Sequence, residues 1–342
     1  DLNKAIELDP QLLEAHNHRA AVYHAQGQWD MAISDLNKAI ELDPKLAAAY
    51  SNRGWTYASK GELDVALADL NKAIELDPNL AEAYYNRGLV HNTQSRWDMG
   101  IADLSKAIEL DPTNFTAYND RGSAYTNIDK LDMAISDLDR AIQLAPDYAL
   151  AYYNRGLVYK EQEQWDSAIA DFSKALELEP ELTGIKKDLA DAYTNRGYIY
   201  RTKEQNDLAV ADFNKAIELD PDLALAYYNL GSVYNAQGQW ELAITNLSKA
   251  LELEPNSAHA YSNRAYSYIG TGELDKAIED YSKAIELENS YALAYYNRGL
   301  LYYNTGQSDL AIADFNKAIE LSDDADLIAA AKDRIAEIQR IK

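Results

Sequence analysis

The sequence predicts an all-α protein, a solenoid of 34-residue helix–turn–helix repeats. Three observations carry this. First, the stretch from Ala151 to Pro180, AYYNRGLVYKEQEQWDSAIADFSKALELEP, returns along the chain, as in the segments ending at Pro78 and at Leu321; such a self-repeating chain reads as an array. Second, all 8 prolines close a copy, and successive prolines stand 34 residues apart five times, then 41, then 34. A ninth copy closes at Asn289. Third, the spacing inside a copy is helical twice. Tyr152, Arg155, Gly156 and Tyr159 fall on one face of a first helix, and Ala168, Phe172, Ala175 and Leu176 on one face of a second. The turn between them is polar and often holds Gly (Gly27, Gly61, Gly238, Gly272, Gly306), which ends a helix in the left-handed conformation at little cost. Pro closes each copy because it cannot continue the second helix.

The elements follow in order. Residues 1–12 are a half repeat, a second helix whose Leu2 and Ile6 lack an upstream cover; we expect a longer natural chain or a docking surface there. Nine copies fill 13–324, beginning near Leu13, Ala47, Ala81, Phe115, Ala149, Ala190, Ala224, Ala258 and Ala292. Copy 1 is irregular, with His16 for Tyr and Ala20 for Gly. Copy 3 has His91 for Tyr and Gly100 for a buried Ala, so looser packing is expected there. Trp29, Trp97, Trp165 and Trp240 share one site after the turn and read as core plugs rather than ligand platforms. The sixth copy carries seven extra residues near 182–190, about two helical turns. Its first helix should therefore start early and project, with Lys186 and Lys187 on the extension. In 325–342, Ile328, Ala331, Ile335, Ile338 and Ile341 form an apolar stripe that reads as a C-terminal capping helix. The whole of 1–342 is expected to be a single array.

These residues resemble the tetratricopeptide repeat family: the 34-residue period, with Tyr152, Gly156, Tyr159, Ala168, Phe172, Ala175 and Pro180 at the family's spacing. The resemblance recurs nine times over nearly the whole chain. It implies a right-handed superhelix whose concave surface is lined by first helices and binds peptides. One departure is consistent. The family usually has Leu where this chain has Arg19, Arg53, Arg87, Arg121, Arg155, Arg196, Arg264 and Arg298. A buried Arg needs a partner, and each of these copies has an Asp early in its second helix: Asp35, Asp69, Asp103, Asp137, Asp171, Asp212, Asp280 and Asp314. Copy 7 alone has Leu230, and it alone has Asn246. An ion pair within each of the eight copies follows.

Composition removes several function classes. The net charge of −24 argues against nucleic acid as a partner. The acidic excess lies largely in the ELDP and ELEP endings and reads as solvated helix ends. There is no Cys, hence no disulfide, thiol nucleophile or Cys-based metal site. No run is long and apolar enough to span a membrane, and no signal peptide is visible, which points to the cytoplasm. No Gly-rich phosphate loop is present, and the His residues lack the i, i+4 pair of metal-binding helices. Carboxylates recur copy by copy, as framework does, whereas catalysis needs one particular arrangement. We therefore expect no enzyme activity, metal or cofactor.

Function is expected on the first helices. At about 100° per residue, Asn154 points about 200° from Tyr152, away from the packed stripe, and the residues five after and two before each such Tyr share that side. The position holds Asn52, Asn86, Asn154, Asn195, Asn229, Asn263 and Asn297, with Asp120 in copy 4 and His18 in copy 1. Tyr85, Tyr153, Tyr228 and Tyr296 precede it, and Trp55, Tyr198 and Tyr266 flank it. Asn is a poor helix former, and an amide both donates and accepts, which suits a peptide backbone; the alternative is a column of solvated or locally bonded amides. The column resembles the asparagine ladder in the superhelix of O-GlcNAc transferase, whose catalytic part has no counterpart here. A carboxylate clamp for chaperone tails needs Lys or Arg where this chain has Asn, and is rejected. The expected function is a non-catalytic interaction scaffold that binds an extended, neutral to basic peptide in its groove. The alternatives are a targeting or regulatory arm of a larger protein, or a unit that self-assembles end to end.

Overall fold

The structure, a computed structural model, describes residues 1–341, with Ile341 described by its backbone alone. These residues form twenty α-helices and no strand. They divide into two compact units, Asp1–Leu182 and a second beginning at Thr183. The first holds α1 (Leu2–Leu8), α2 (Leu13–Ala25), α3 (Trp29–Leu42), α4 (Ala47–Lys60), α5 (Leu63–Leu76), α6 (Ala81–Thr93), α7 (Trp97–Leu110), α8 (Phe115–Asn127), α9 (Leu131–Leu144), α10 (Ala149–Glu161) and α11 (Trp165–Leu178). The second holds α12 (Ile185–Thr202), α13 (Asn206–Leu219), α14 (Ala224–Ala236), α15 (Trp240–Leu253), α16 (Ala258–Thr271), α17 (Leu274–Leu287), α18 (Ala292–Asn304), α19 (Ser308–Leu321) and α20 (Ala325–Ile341).

Each copy is a pair of helices in close contact. The second helix buries Ala168, Phe172 and Ala175 completely in copy 5. The first helix meets it with Gly156, where a Cβ would stand 2.7 Å from the Phe172 ring. The copies then share cores: Tyr125 and Leu138 of copy 4 form one cluster with Val158 of copy 5. The turn between paired helices takes a left-handed residue in all nine copies. Five use the glycines named above, with φ between 70 and 89°, and four use Ser95, Asp129, Glu163 and Glu204, with φ between 56 and 59°.

The acidic copy endings have a local use. Asp9, Asp43, Asp77, Asp111 and Asp220 follow their helices in an extended or near-extended conformation, and each Oδ1 accepts the backbone N–H two residues on, at 2.9–3.1 Å. The Asp thus caps the turn around the Pro that follows it.

All eight expected ion pairs form within their copies. In copy 2, Arg53 Nε and Nη2 donate to both oxygens of Asp69 at 2.7 and 2.8 Å. Copy 5 repeats this with Arg155 and Asp171 at 2.7 Å. The remaining pairs are Arg19–Asp35, Arg87–Asp103, Arg121–Asp137, Arg196–Asp212, Arg264–Asp280 and Arg298–Asp314. The aspartates are buried. A further contact was not legible in the sequence. Nη1 of Arg53, Arg87, Arg121 and Arg155 reaches back to the preceding copy's second helix, at Asn37, Asn71, Ser105 and Asp139. In copy 7, Leu230 is buried, and Asn246 turns onto its own helix at the Leu242 carbonyl.

Three expectations change in detail. At Gly100 the Asn92 side chain fills the space a Cβ would take and donates to the Asp120 backbone carbonyl at 3.5 Å, while its Oδ1 stays buried without a partner and a cavity opens beside His91 and Met99 of the same copy. In copy 6 the lengthened helix starts at Ile185 rather than Leu182, after the left-handed Gly184. Its 18 residues exceed the 13 or 14 of the other first helices. The extension is not bare: Ile185 and Leu189 are buried, while Lys186 and Lys187 are exposed. The tryptophans are incomplete plugs. Trp240 lies over Gly270, yet Trp29 remains 37% exposed. At the C-terminal end, Ala331 and Ile338 of α20 bury against Phe315, with Ile335 half-buried beside them. The side chain of Ile341 and all of Lys342 lie outside the described residues.

Candidate functional site

The asparagine column does not stand clear of the packing. Each first helix touches its own second helix, and α4, α6, α8, α10, α14 and α16 also touch the first helix of the preceding copy. A direction about 200° from the packed stripe therefore meets that neighbour. Asn52 Nδ2 donates to Asn17 Oδ1 at 3.0 Å, Asn86 to Ser51 Oγ at 3.3 Å, and Asn154 to Asn119 Oδ1 at 2.9 Å. Asn263 donates to the Tyr228 hydroxyl and to Ser232 Oγ, both at 3.1 Å. Asn297 lies beside the Tyr281 hydroxyl. Asn86 and Asn229 are buried, and Asn52, Asn154, Asn263 and Asn297 are half-buried. Asn195 and His18 are exposed, and Asn195 donates to the Asp191 carbonyl of its own helix. The expected outward direction is thus corrected by a second packing partner. The side-chain Oδ1 atoms of Asn52, Asn154 and Asn263, whose Nδ2 atoms are the donors, accept no hydrogen bond from the described residues.

The open side belongs to the positions five after and two before the stripe Tyr. Tyr198 and Tyr266 are 48% and 51% exposed. The Arg201 guanidinium lies 5.0 Å over the Tyr198 ring, and the Tyr266 ring meets the edge of Trp240 at 5.6 Å. In the first unit, Asn52, Trp55, His24, Thr56 and Glu82 line a cavity of about 180 Å³. His24 stacks on Trp55, their centroids 6.1 Å apart, and its Nδ1 lies 3.2 Å from Thr56 Oγ1. Burial lowers the pKa of His24. Glu82 keeps an exposed surface, but the surrounding walls desolvate its carboxyl and raise its pKa. In the second unit, Leu225, Tyr228, Glu254, Ser257 and His259 line a cavity of about 220 Å³.

The Tyr that precede the column divide. Tyr153 and Tyr296 turn inward against Phe172 and Phe315, each at 5.7 Å between centroids. Tyr228 lines the second cavity. Tyr85 donates to Asp120 Oδ2 at 2.8 Å, and Asn119 donates to Asp120 Oδ1 at 3.0 Å. Asp120 is half-buried, and desolvation raises its pKa against the lowering effect of these two donors.

Sequence reasoning missed His24, Glu82, Leu225 and His259. The last three occupy the register two before the stripe Tyr, so their direction was legible. They were passed over because that register varies, holding for instance Glu, Leu, Asp or His in different copies, and recurrence of one residue type was the signal followed. Among the described residues no group of three or more His, Asp or Glu side chains is placed to hold a metal ion, and no helix is long and apolar enough to cross a membrane.

Stacked helix pairs that leave one side of their first helices open define a repeat scaffold for protein–protein interaction. The chain belongs to the tetratricopeptide repeat family. A profile described as TPR repeat matches residues 22–60, 54–95, 122–162, 197–237, 231–272 and 267–306. Two profiles described as tetratricopeptide repeat match 81–114, 149–182 and 292–324, and 2–34 and 104–136. Similar solved structures include YrrB, described as a TPR protein with an unusual peptide-binding site, at 26% identity over 57% of this chain and 97% of that one, with a TM-score of 0.45. MamA is 32% identical over 52% of this chain and 93% of its own, with a TM-score of 0.44. A thermophilic TPR protein of Thermus thermophilus is 19% identical over 53% and 98%, with a TM-score of 0.46. A comparison with curated proteins finds no match.

Proposed function

We propose that the chain is a non-catalytic scaffold whose first-helix face binds an extended segment of a partner protein. The observation that carries this reading is the pairing, in one face, of exposed aromatic rings with amides that keep an unused acceptor. Asn52 and Trp55 share a cavity wall, and Tyr266 stands open one turn from Asn263. Neighbouring first helices lie on the order of 10 Å apart, and an extended peptide advances about 3.3 Å per residue. Where the amide stays accessible, as at Asn52, Asn154 and Asn263, it meets the peptide backbone at intervals of about three residues per copy. Each amide already anchored to its neighbour presents its carbonyl oxygen at a fixed angle, which lowers the ordering cost of binding. The rings take apolar or basic side chains between these rungs, and the acidic chain favours neutral to basic segments.

The test uses a displayed random library of short peptides and three full-length chains: native, an amide variant (Asn52→Ala, Asn154→Ala, Asn263→Ala) and an aromatic variant (Trp55→Ala, Tyr198→Ala, Tyr266→Ala). Peptides selected on the native chain should bind each variant about tenfold or more weakly, the loss expected for a few net hydrogen bonds or buried rings. Far-UV circular dichroism should stay unchanged. Undiminished binding by both variants moves the function off this face.

A further inference from the structure

We propose that Asp120 is the anchor for one lysine or arginine side chain of the bound segment, which makes a basic residue the selectivity determinant of the first unit's binding face. The proposal rests on the reading above and adds the chemistry of one subsite. Where seven copies place a neutral amide and copy 1 a histidine, copy 4 places a carboxylate. Three successive copies build its surroundings. The Tyr85 hydroxyl comes from α6, the Asn119 amide from α8 beside Asp120 itself, and the Asn154 amide of α10 holds Asn119 in turn at 2.9 Å.

Every group that donates to this carboxylate is neutral. No Lys, Arg or His among the described residues pairs with it. The adjacent Arg121 is committed to Asp137 and Ser105. The eight buried aspartates of the ion pairs each have their own guanidinium, so Asp120 is the exception. A desolvated carboxylate without a counter-charge is costly, and such groups concentrate at functional sites. Desolvation raises the pKa of Asp120 and, nearby, pushes that of Tyr148 up to about 12. Asp120 also keeps part of its surface open, so a side chain arriving along the face can reach it.

The chemistry selects a side-chain cation over a metal ion. A divalent cation asks for several oxygen ligands, whereas here one carboxylate is surrounded by a hydroxyl and an amide whose hydrogens already point at it. An ammonium or guanidinium needs one carboxylate and gains a charge-assisted hydrogen bond.

The test compares the native chain with Asp120→Asn, which restores the amide found in other copies and should fold. Library peptides selected on the native chain should share a Lys or Arg at one position. Replacing that residue by an uncharged isostere (norleucine for Lys, citrulline for Arg) should weaken binding to the native chain about tenfold, while Asp120→Asn should bind parent and replacement alike. Selected peptides without a shared basic position, or a replacement that weakens binding to both chains equally, overturn the proposal and leave the peptide-binding reading standing. Failure of the native chain to select any peptide, or equal selection by the amide and aromatic variants, overturns that reading and this proposal together.

Discussion

Changing Asp69 to Asn keeps the shape of a buried side chain and removes its charge. Of its two hydrogen bonds at 2.7 and 2.8 Å, Arg53 would keep at most one, to the amide oxygen; it would lose its counter-charge and keep Asn37 at 2.7 Å, with the Tyr50 ring 5.4 Å from its guanidinium carbon. None of these remaining groups is an anion. Breaking a buried pair from one side costs about 3–5 kcal/mol, and that is the expected loss for copy 2. The same change in copy 5, Asp171→Asn, should cost less, by about 1–2 kcal/mol, because Arg155 keeps Asp139 at 2.5 Å. Arg53→Leu with Asp69→Asn reproduces the residue types found together as Leu230 and Asn246. It should return to within about 1 kcal/mol of the native chain, since an apolar replacement of a buried pair is often neutral. Repeat arrays open locally, so the assay is native-state amide exchange read separately on α4–α5 and α10–α11. Equal losses for Asp69→Asn and Asp171→Asn, or a double variant no more stable than the Asp69→Asn single, would refute the assignment of the cost to an uncompensated guanidinium.

Two further outcomes follow from the same geometry. The pKa of Asp120 is raised in the folded chain, so this group favours folding only when protonated, and that contribution is lost as pH rises through its folded value. Without peptide, Asp120→Asn should therefore melt at a higher temperature than the native chain near neutral pH, and the gap should close as pH falls below about 4; a gap that widens in acid contradicts the assignment. Glu163 sits in the left-handed turn position at φ 56°, where five other copies use Gly. Glu163→Gly removes a cost of about 1–2 kcal/mol and adds flexibility to the unfolded chain worth about 0.4–1 kcal/mol. A net gain of about 0.5–1 kcal/mol should appear in urea denaturation, and destabilisation would count against the strain.

Much of the fold was legible because the chain states it nine times. A period, a closing Pro and two helical stripes suffice to place each pair, and the joint change at Leu230 and Asn246 exposed the ion pair without coordinates. The site was less legible, because direction on a helix depends on what the helix meets. Asn154 lies far from the Tyr152 stripe in angle, yet the first helix of copy 4 occupies that direction and takes the amide into a bond with Asn119. Periodicity along one copy carries no information about that neighbour. Recurrence of Asn also hid a register whose occupant varies from copy to copy: Glu82 and His259 both face the open side. Asp120 was visible as an exception in the column, whereas its lack of a counter-charge required the positions of Arg121 and Tyr85.

The reach of Arg53, Arg87, Arg121 and Arg155 to the copy before them has an evolutionary corollary. Each finds its own Asp sixteen residues ahead and its anchor on the preceding copy sixteen residues behind. The joint between copies is therefore addressed by offset along the chain, not by the identity of one partner, and Asn, Ser and Asp all serve as the anchor. Deleting or duplicating 34 residues brings an equivalent anchor to the same offset, so gene duplication can lengthen or shorten such a chain without inventing a new junction.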